Sequence, residues 1–590
     1  MTAETIPALL AGFAGDRRAV VTADEAVTYG ELDDRSRAGA ARLVASGVAK
    51  GDRVGLLAPN GIAWATTALA VLRIGAVLVP LSTLLRLPEL LAQLTAASVT
   101  HLVTVPAFRD RRYLDDLDAA APGLAAALAA GSRHPAVPAL RRLWRLDDPP
   151  TTGPDREPAA GDDRPANVDP PRPPVESAAG EATPRTVDPP PRPAEPTTGE
   201  DRPANVDPPR RPVESVTELP DDMASEGLVR SMEDRVGPGD DLAVLFTSGS
   251  RGAPKGTIHT HGGALRSVAA GLEARCVGPG ERLYIPMPFF WTGGFSGGLL
   301  TALVAGATLL TEAEPDPART LALLERERAT LFRGWPDQAA RLAAHPAFAR
   351  ADLSSLRDGS LPAVLPPDRR PAPGARPNLF GMTETIGPWC GDRLDVDLPP
   401  GKHGSCGRPF AGWEVRVADP VTGRPQKAGE DGELWLRGPN LLRGIAGRRR
   451  EQVFTPDGFY RTGDLGRQDE DGYVWFSGRL DDMVKVKGAT VYPSEVEVAL
   501  RSVDGVGQAH VTDVDGAVAA LVITDREADV GPAEVVAAVR QRLSAFKVPS
   551  RWRFTTDTRV VPLTATAKVD KAALQDLLRE SGSEWKALLS

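Results

Sequence analysis

The stretch Thr247-Ser248-Gly249-Ser250-Arg251-Gly252-Ala253-Pro254-Lys255-Gly256 crowds hydroxyls, glycines and one lysine between two extended runs. Leu242 to Phe246 reads as a buried strand entering it, and Thr257-Ile258-His259 as extended structure leaving it. Gly249, Gly252 and Gly256 let backbone N–H groups close on an anion that side chains would block. Thr247, Ser248 and Ser250 add donors, and Lys255 adds a point charge. A strand-loop-helix phosphate site needs Gly-x-x-x-x-Gly-Lys-Ser/Thr with a helix behind it, so the ordinary dinucleotide and nucleoside-triphosphatase patterns do not fit. The loop suits the polyphosphate of ATP; taken alone, it also fits a plain Gly/Ser-rich surface turn.

At 590 residues the chain is too long for one core, and two or more domains are expected. A net charge of -9 from 69 basic and 78 acidic residues offers no footprint for nucleic acid and no basic helix for a membrane surface, which favours a small-molecule enzyme. Cys276, Cys390 and Cys406 lie far apart, without metal-ligand or disulfide spacing, and read as reduced thiols. The first twenty residues lack a basic start followed by an apolar core, and no run approaches the roughly 18 apolar residues of a spanning helix. The expectation is a soluble, cytoplasmic protein without a membrane span.

The expected fold class is α/β: a large N-terminal region of βα-type sheets plus a β-rich subdomain, then a small, mobile α+β C-terminal domain. In residues 1–146, Arg53 to Leu57 and Ala76 to Pro80 are candidate strands around a helix from Ile62 to Arg73, a βαβ signature of a parallel sheet. Residues 147–221 break that pattern. Val-Asp-Pro-Pro recurs at Val168, Val187 and Val206, and Arg164 to Ser177 returns almost unchanged as Arg202 to Ser215. Each copy is Pro-rich and charged with almost nothing apolar to stack, so the segment reads as a disordered, partly polyproline-II insertion; docking of a proline-recognising partner is the minority reading.

Residues 222–480 resume the alternation through Leu303 to Leu310 and Leu321 to Leu331, then turn β-rich at Glu433 to Leu436 and Gly472 to Phe476. In residues 481–590, Met483 to Val486 and Thr490-Val491 suit a hairpin, Pro493 opens a helix with Glu495 and Glu497 near its positive end, and a hairpin turns at Asp515-Gly516. Pro532 to Phe546 reads as an amphipathic helix.

Asn378-Leu379-Phe380-Gly381-Met382-Thr383-Glu384-Thr385 brings an aromatic, a glycine, a hydroxyl and a carboxylate into one short segment. Phe380 can cover a purine, Thr383 can bond a phosphate, and Glu384 is a hard oxygen ligand for Mg²⁺. Tyr460-Arg461-Thr462-Gly463-Asp464 adds a carboxylate in a tight turn, suited to a ribose diol. Gly478 to Gly488 sits at the expected domain boundary, so Arg479 to Asp482 can serve as a hinge. Lys568 sits on a short loop between small residues, where its ammonium can reach another domain's cleft. Each of these segments alone also has a plain structural reading.

Together and in this order, the segments resemble the adenylate-forming superfamily of acyl-CoA synthetases, firefly-type luciferases and peptide-synthetase adenylation domains, most of all a bacterial acyl-CoA synthetase. The resemblance spans most of the chain outside the repeat. It implies that a carboxylate attacks the α-phosphate of Mg·ATP to give an acyl-adenylate and pyrophosphate, and that a thiol, here coenzyme A, then takes the acyl group. It further implies an adenylation domain split by the insertion into residues 1–146 and 222–480, with the catalytic lysine in residues 481–590. By resemblance, Thr247, Ser248, Gly249, Ser250, Lys255 and Gly256 hold the β- and γ-phosphates, Phe380 lies along adenine, Asn378 and Gly381 belong to the cofactor site, and Thr383 and Glu384 contact phosphate and magnesium. Asp464 then holds the ribose and Arg479 the nucleotide. Lys568 bridges the carboxylate and the α-phosphate, and Asp481 is the hinge that exchanges it for the hairpin at Lys487 and Gly488. Trp291, Gly293 and Gly294 fall at the acyl pocket.

Several positions depart from the family pattern: Ser250-Arg251 in place of two threonines, Trp291 in place of a frequent histidine, Gly359-Ser360-Leu361-Pro362-Ala363 at the adenine-flanking stretch, and Ala567 before the lysine. No aspartate beside Phe289-Phe290-Trp291 stands ready for an α-ammonium, so a free carboxylic acid, fatty or otherwise bulky, is the expected substrate, with Gly293, Gly294, Gly297 and Gly298 leaving room for it. An acyl-AMP ligase that loads a carrier protein is the rival enzyme, and a non-catalytic partner-binding homologue using the Pro-rich insertion is the rival of another class.

Overall fold

The computed structural model describes residues 3–13, 15–147, 213–215, 223–247, 255–480, 484–486, 489–491, 493–525, 530–543, 547–564 and 569–580. Ser248, Gly249, Ser250, Asp481, Lys487, Gly488, Lys568 and the repeat over 148–212 therefore lie outside the described residues.

A seven-stranded sheet runs in the order Gly444–Ile445, Lys255–Thr260, Asp241–Thr247, Val77–Leu81, Arg53–Leu57, His101–Thr104, Arg142–Arg145. The four strands that residues 53–145 give to this sheet pair in parallel, with Arg53 opposite Val77 and Val54 opposite His101, and helix Ile62–Arg73 crosses between the first two as the sequence predicts. Both faces of the sheet are covered, which is why its strands are apolar without alternation. Val54, Leu56, Leu78, Leu242 and Leu245 join one core, while Leu57, Val77, Val79, Val244 and Ile258 join the other.

The chain leaves this sheet at Arg145 and returns beside it. Arg145 N–H donates to the Glu214 carbonyl at 2.9 Å, and Ser215, fully buried, bridges Arg145 in parallel. The end of the second long repeat copy thus pairs with the sheet, although its composition resembles that of the preceding copy; backbone pairing ignores composition. Fully buried Arg73 then ties the two sides of the insertion together by pairing with Asp33 and, at 3.0 Å, with Glu233 of helix Met223–Glu233.

A second, five-stranded sheet has the order Leu331–Phe332, Arg282–Tyr284, Thr308–Leu310, Arg18–Val21, Ala26–Thr28. The β-rich region forms a four-stranded antiparallel sheet of Glu414–Ala418, Gly432–Arg437, Tyr460–Gln468 and Val474–Arg479. Thr462-Gly463-Asp464, expected as a tight turn, lies inside the strand Tyr460–Gln468. Glu433 pairs with Leu465 and Trp435 with Arg461, so these three residues bulge opposite Leu434, and Gly463 takes the φ of 72° that the bulge needs. A bulge re-aims a side chain much as a turn does, which is why the local signals look alike.

The C-terminal region has its own core. Strands Val506–Val514, Ala517–Thr524 and Arg551–Thr555 form a sheet, with Asp515 and Gly516 both at positive φ in the expected hairpin turn. Helix Pro493–Arg501 and helix Pro532–Arg542 cover it through Val496, Leu500, Val535, Val536 and Val539. The latter helix ends four residues before the expected Phe546, because Leu543 adopts extended backbone. Ser494 Oγ donates to the Ser477 carbonyl at 2.6 Å, joining this region to the strand Val474–Arg479.

Candidate active site

Strands Asp241–Thr247 and Lys255–Thr260 form the antiparallel hairpin whose connection is the glycine-rich loop, with Thr247 directly opposite Lys255 at its mouth. A Cβ on Gly256 would meet the Val244 methyl at 2.9 Å and the Phe246 ring at 3.2 Å, so this glycine serves strand packing beneath the loop. The Lys255 ammonium donates to Glu384 Oε1 and, at 2.7 Å, to the Tyr460 hydroxyl, which donates in turn to Glu384 Oε1 at 3.1 Å. Three side chains from three sequence regions thus close one triangle.

Burial by itself pushes the Glu384 carboxyl up, but the Lys255 charge, its hydrogen bond, a backbone donor and the Tyr460 hydroxyl outweigh burial and hold it below the usual carboxylate range. Burial and the neighbouring Glu384 charge push the Tyr460 hydroxyl far up, so it stays a proton donor. No group of three acidic, histidine or cysteine side chains that could cage a metal occurs among the described residues. One buried carboxylate fits Mg²⁺ instead in the manner of nucleotide enzymes, where substrate phosphates complete the coordination.

The turn that carries Glu384 is clamped from all sides. Thr383–Thr385 is a single 3-10 turn closed by Ile386 at φ 52°. His259 Nε2 bonds the Thr383 carbonyl at 2.8 Å, Ser267 Oγ donates to the Thr385 carbonyl at 3.1 Å, and Leu442 N–H donates to the Glu384 carbonyl at 2.9 Å. Burial lowers the His259 pKa to about 4, so a neutral ring whose Nε2–H points at that carbonyl is the form at neutral pH. Thr292 Oγ1 reaches Thr383 Oγ1 at 3.3 Å, linking the turn to the segment after Trp291.

Asp464 and Arg479 are cross-strand partners joined at 2.7 Å, and Arg479 also donates to the Thr462 carbonyl at 3.2 Å. Asp464 is buried, whereas Arg479 is partly exposed. Phe380, half-buried, lies 5.0 Å from Phe476 on the strand that carries Arg479 and 5.5 Å edge-on to Trp389. Asn378 is exposed and makes a 3.4 Å backbone bond to Ser405. Gly381 has no room for a side chain: a Cβ there would sit 2.2 Å from the Gly387 carbonyl oxygen.

On the acyl side, Trp291 is half-buried and stands edge-on to Phe290 at 5.5 Å. The glycines that follow were expected to leave space, yet a Cβ on Gly294 would lie 2.1 Å from the Pro288 carbonyl oxygen, one on Gly293 would lie 2.2 Å from Met287 Sδ, and one on Gly298 would lie 3.1 Å from Ile285. These three accommodate a tight turn and close packing. Gly297 alone of the four could carry a Cβ without a clash, its nearest neighbour being Arg275 Nη1 at an ordinary contact distance of 3.9 Å.

A model of the AMP-binding enzyme family matches residues 10–446. The chain belongs to that family. This AMP-binding enzyme is 30% identical over 581 residues to the 7a-methyl-1,5-dioxo-octahydro-1H-inden-4-yl-propanoyl:CoA ligase of Mycobacterium tuberculosis, covering 95% of this chain and 96% of that one. It is also 30% identical over 562 residues to the feruloyl-CoA synthase of an Amycolatopsis species, covering 93% and 94%. Among solved structures, an anthranilate CoA ligase in complex with anthranoyl-AMP superposes with a TM-score of 0.70 at 21% identity over 98% of this chain and 97% of that one, a likeness of fold.

The structure brings together Lys255, Thr383 and Glu384 directly, and Asp464, Arg479 and Phe380 through the two strands that also carry Tyr460 and Phe476. Sequence reasoning passed over Tyr460, His259, Ser267 and Thr292. Tyr460 stood in a quoted motif without a role, and the other three carry no local signal, since each acts on a partner about 90 to 125 residues away.

Proposed function

We propose that this AMP-binding enzyme activates a carboxylic acid with ATP and transfers the acyl group to coenzyme A. The carrying observation is the convergence of Lys255 and Glu384, with the Tyr460 hydroxyl between them, at the mouth of the glycine-rich hairpin. The CoA ligases that match nearly the whole chain at 30% identity support the acceptor.

Adenylation is an in-line displacement at phosphorus, so the protein's task is positioning and neutralising charge rather than forming a covalent intermediate. Lys255 supplies the positive charge for the polyphosphate, and Glu384, released from Lys255, is the residue that would hold Mg²⁺, whose chemistry is to neutralise phosphate oxygens. Asp464, oriented by Arg479, accepts the ribose hydroxyls, and Phe380 offers an aromatic face to adenine. His259, Ser267 and the Leu442 amide are positioning groups that hold the turn bearing Thr383 and Glu384. Lys568 is assigned the bridge between the acid and the α-phosphate, with Asp481 as the hinge and Lys487-Gly488 on the thiol side.

Pyrophosphate release measured with ATP, a panel of acids, and CoA present or absent tests the reading. Acid-dependent release, with an acyl-CoA product when CoA is added, is the expected result. Release without thioester formation points to a carrier-protein acceptor, and no acid-dependent release on any acid overturns the proposal.

A further inference from the structure

The segment from Met287 to Trp291 lies between strand Arg282–Tyr284 and the turn Thr292–Gly294, outside both, and a side chain from the other large sheet holds it. Asn60 stands just beyond strand Arg53–Leu57 and is 7% exposed. Its Nδ2 donates to the Met287 carbonyl at 2.9 Å and to Thr311 Oγ1 at 3.2 Å, while its Oδ1 accepts from the Phe289 N–H at 2.6 Å. A backbone carbonyl only accepts and a backbone N–H only donates, so Met287 and Phe289 fix which way round the amide lies. An ionised carboxylate of the same shape could keep the Phe289 bond but could not donate to Met287.

The same side of the fold seats the rings that follow. Trp64, on helix Ile62–Arg73, lies 5.1 Å from Phe289 and 6.0 Å from Phe295, and all three are buried. Trp291 N–H then donates to the Pro288 carbonyl at 3.0 Å, and Phe295 N–H donates to the Trp291 carbonyl at 2.9 Å. At the far end Thr292 Oγ1 meets Thr383 Oγ1. Between Asn60 and the turn that bears Glu384, therefore, the backbone that carries Trp291 is fixed at both ends. Lys255, Asp464 and Arg479 are carried by other strands and do not depend on this tether.

We infer that Asn60 is a positioning residue for the acid: by holding Met287 and Phe289 it sets where Trp291 and Thr292 stand against Thr383, and so governs acid binding rather than nucleotide binding. The inference rests on the acid-activating reading above, with Trp291 on the acyl side. Loss of the amide leaves the Phe289 N–H, on a fully buried residue, without its acceptor, and frees the segment to shift.

The test measures KM and kcat for acid-dependent pyrophosphate release by the full chain, using the fastest of hexanoate, dodecanoate, benzoate and cinnamate. In Asn60→Ala the KM for the acid should rise about tenfold, as for one buried hydrogen bond whose partner stays behind, while the KM for ATP moves less than about twofold. Asn60→Asp separates positioning from packing. Burial favours its neutral form, which can donate to Met287 while accepting from Phe289, and the anion formed at higher pH cannot donate. The acid KM of Asn60→Asp should thus lie near that of wild type at about pH 5.5 and rise to about tenfold above it at about pH 8.5. A ratio that does not change with pH, or a loss shared equally by the KM values for acid and ATP, overturns the role and leaves the enzyme assignment standing. Should Asn60→Ala fail to fold, the pH profile of Asn60→Asp decides alone. Wild type silent on every acid overturns the acid-activating reading itself, and the inference with it.

Discussion

Lys255→Met removes the cation from a triangle whose carboxylate is almost out of reach of water. The Glu384 side chain is 8% exposed and that of Lys255 is 20% exposed. Breaking a buried pair costs about 3–5 kcal/mol, and the partial exposure of the lysine places this one at the lower end, about 3 kcal/mol. At about 2 °C per kcal/mol for a chain of this size, Tm at pH 7.5 should fall by roughly 6 °C. The pH dependence identifies the cause. In wild type the Glu384 pKa is depressed, so its contribution is present above the unfolded carboxylate value and is lost as pH falls through the folded one. In the variant the burial that pushes Glu384 up loses its main opponent, so the folded state favours the protonated acid and loses stability as pH rises past about 4. Thermal melts from pH 4 to pH 8 should therefore show a gap that is small at the acid end and opens toward neutrality. Adding Glu384→Gln to Lys255→Met should recover part of the loss, because no buried charge then lacks a partner. A gap independent of pH, or a double variant no more stable than Lys255→Met, would refute the reasoning.

Asp464→Asn removes the acceptor that Arg479 holds in place, and the KM for ATP should rise about tenfold while the KM for the acid changes little, as read by steady-state pyrophosphate release. Gly381→Ala forces a methyl onto the Gly387 carbonyl, a backbone atom that cannot move aside, and should cost about 3 kcal/mol or leave the protein insoluble; Tm and soluble yield report it. Lys568→Ala should abolish most adenylation while sparing thioester formation from a supplied acyl-adenylate, and equal loss in both half-reactions would count against its assigned role.

The motifs and the elements that carry them were legible because both depend on neighbours in sequence. The βαβ run around Ile62 to Arg73, the turn at Asp515-Gly516 and the strands flanking Thr247 to Gly256 each express a local backbone preference, and the structure shows them with small shifts. Where two local geometries share a signal, the reading slipped: Thr462-Gly463-Asp464 is a bulge rather than a turn, and Gly293-Gly294 packs against Pro288 and Met287 rather than opening a cavity.

By itself, then, the amino-acid sequence determined an AMP-binding enzyme on an α/β scaffold, since motif order and periodicity act within a few residues. Only the tertiary structure decided that Tyr460 bonds both Lys255 and Glu384 and that His259 steadies the Thr383 carbonyl. Those relations depend on which strands lie side by side, such as Gly444–Ile445 against Lys255–Thr260, and on the burial that results. The pairing energy that selects such neighbours is summed over whole sheets, so no short window of residues records it.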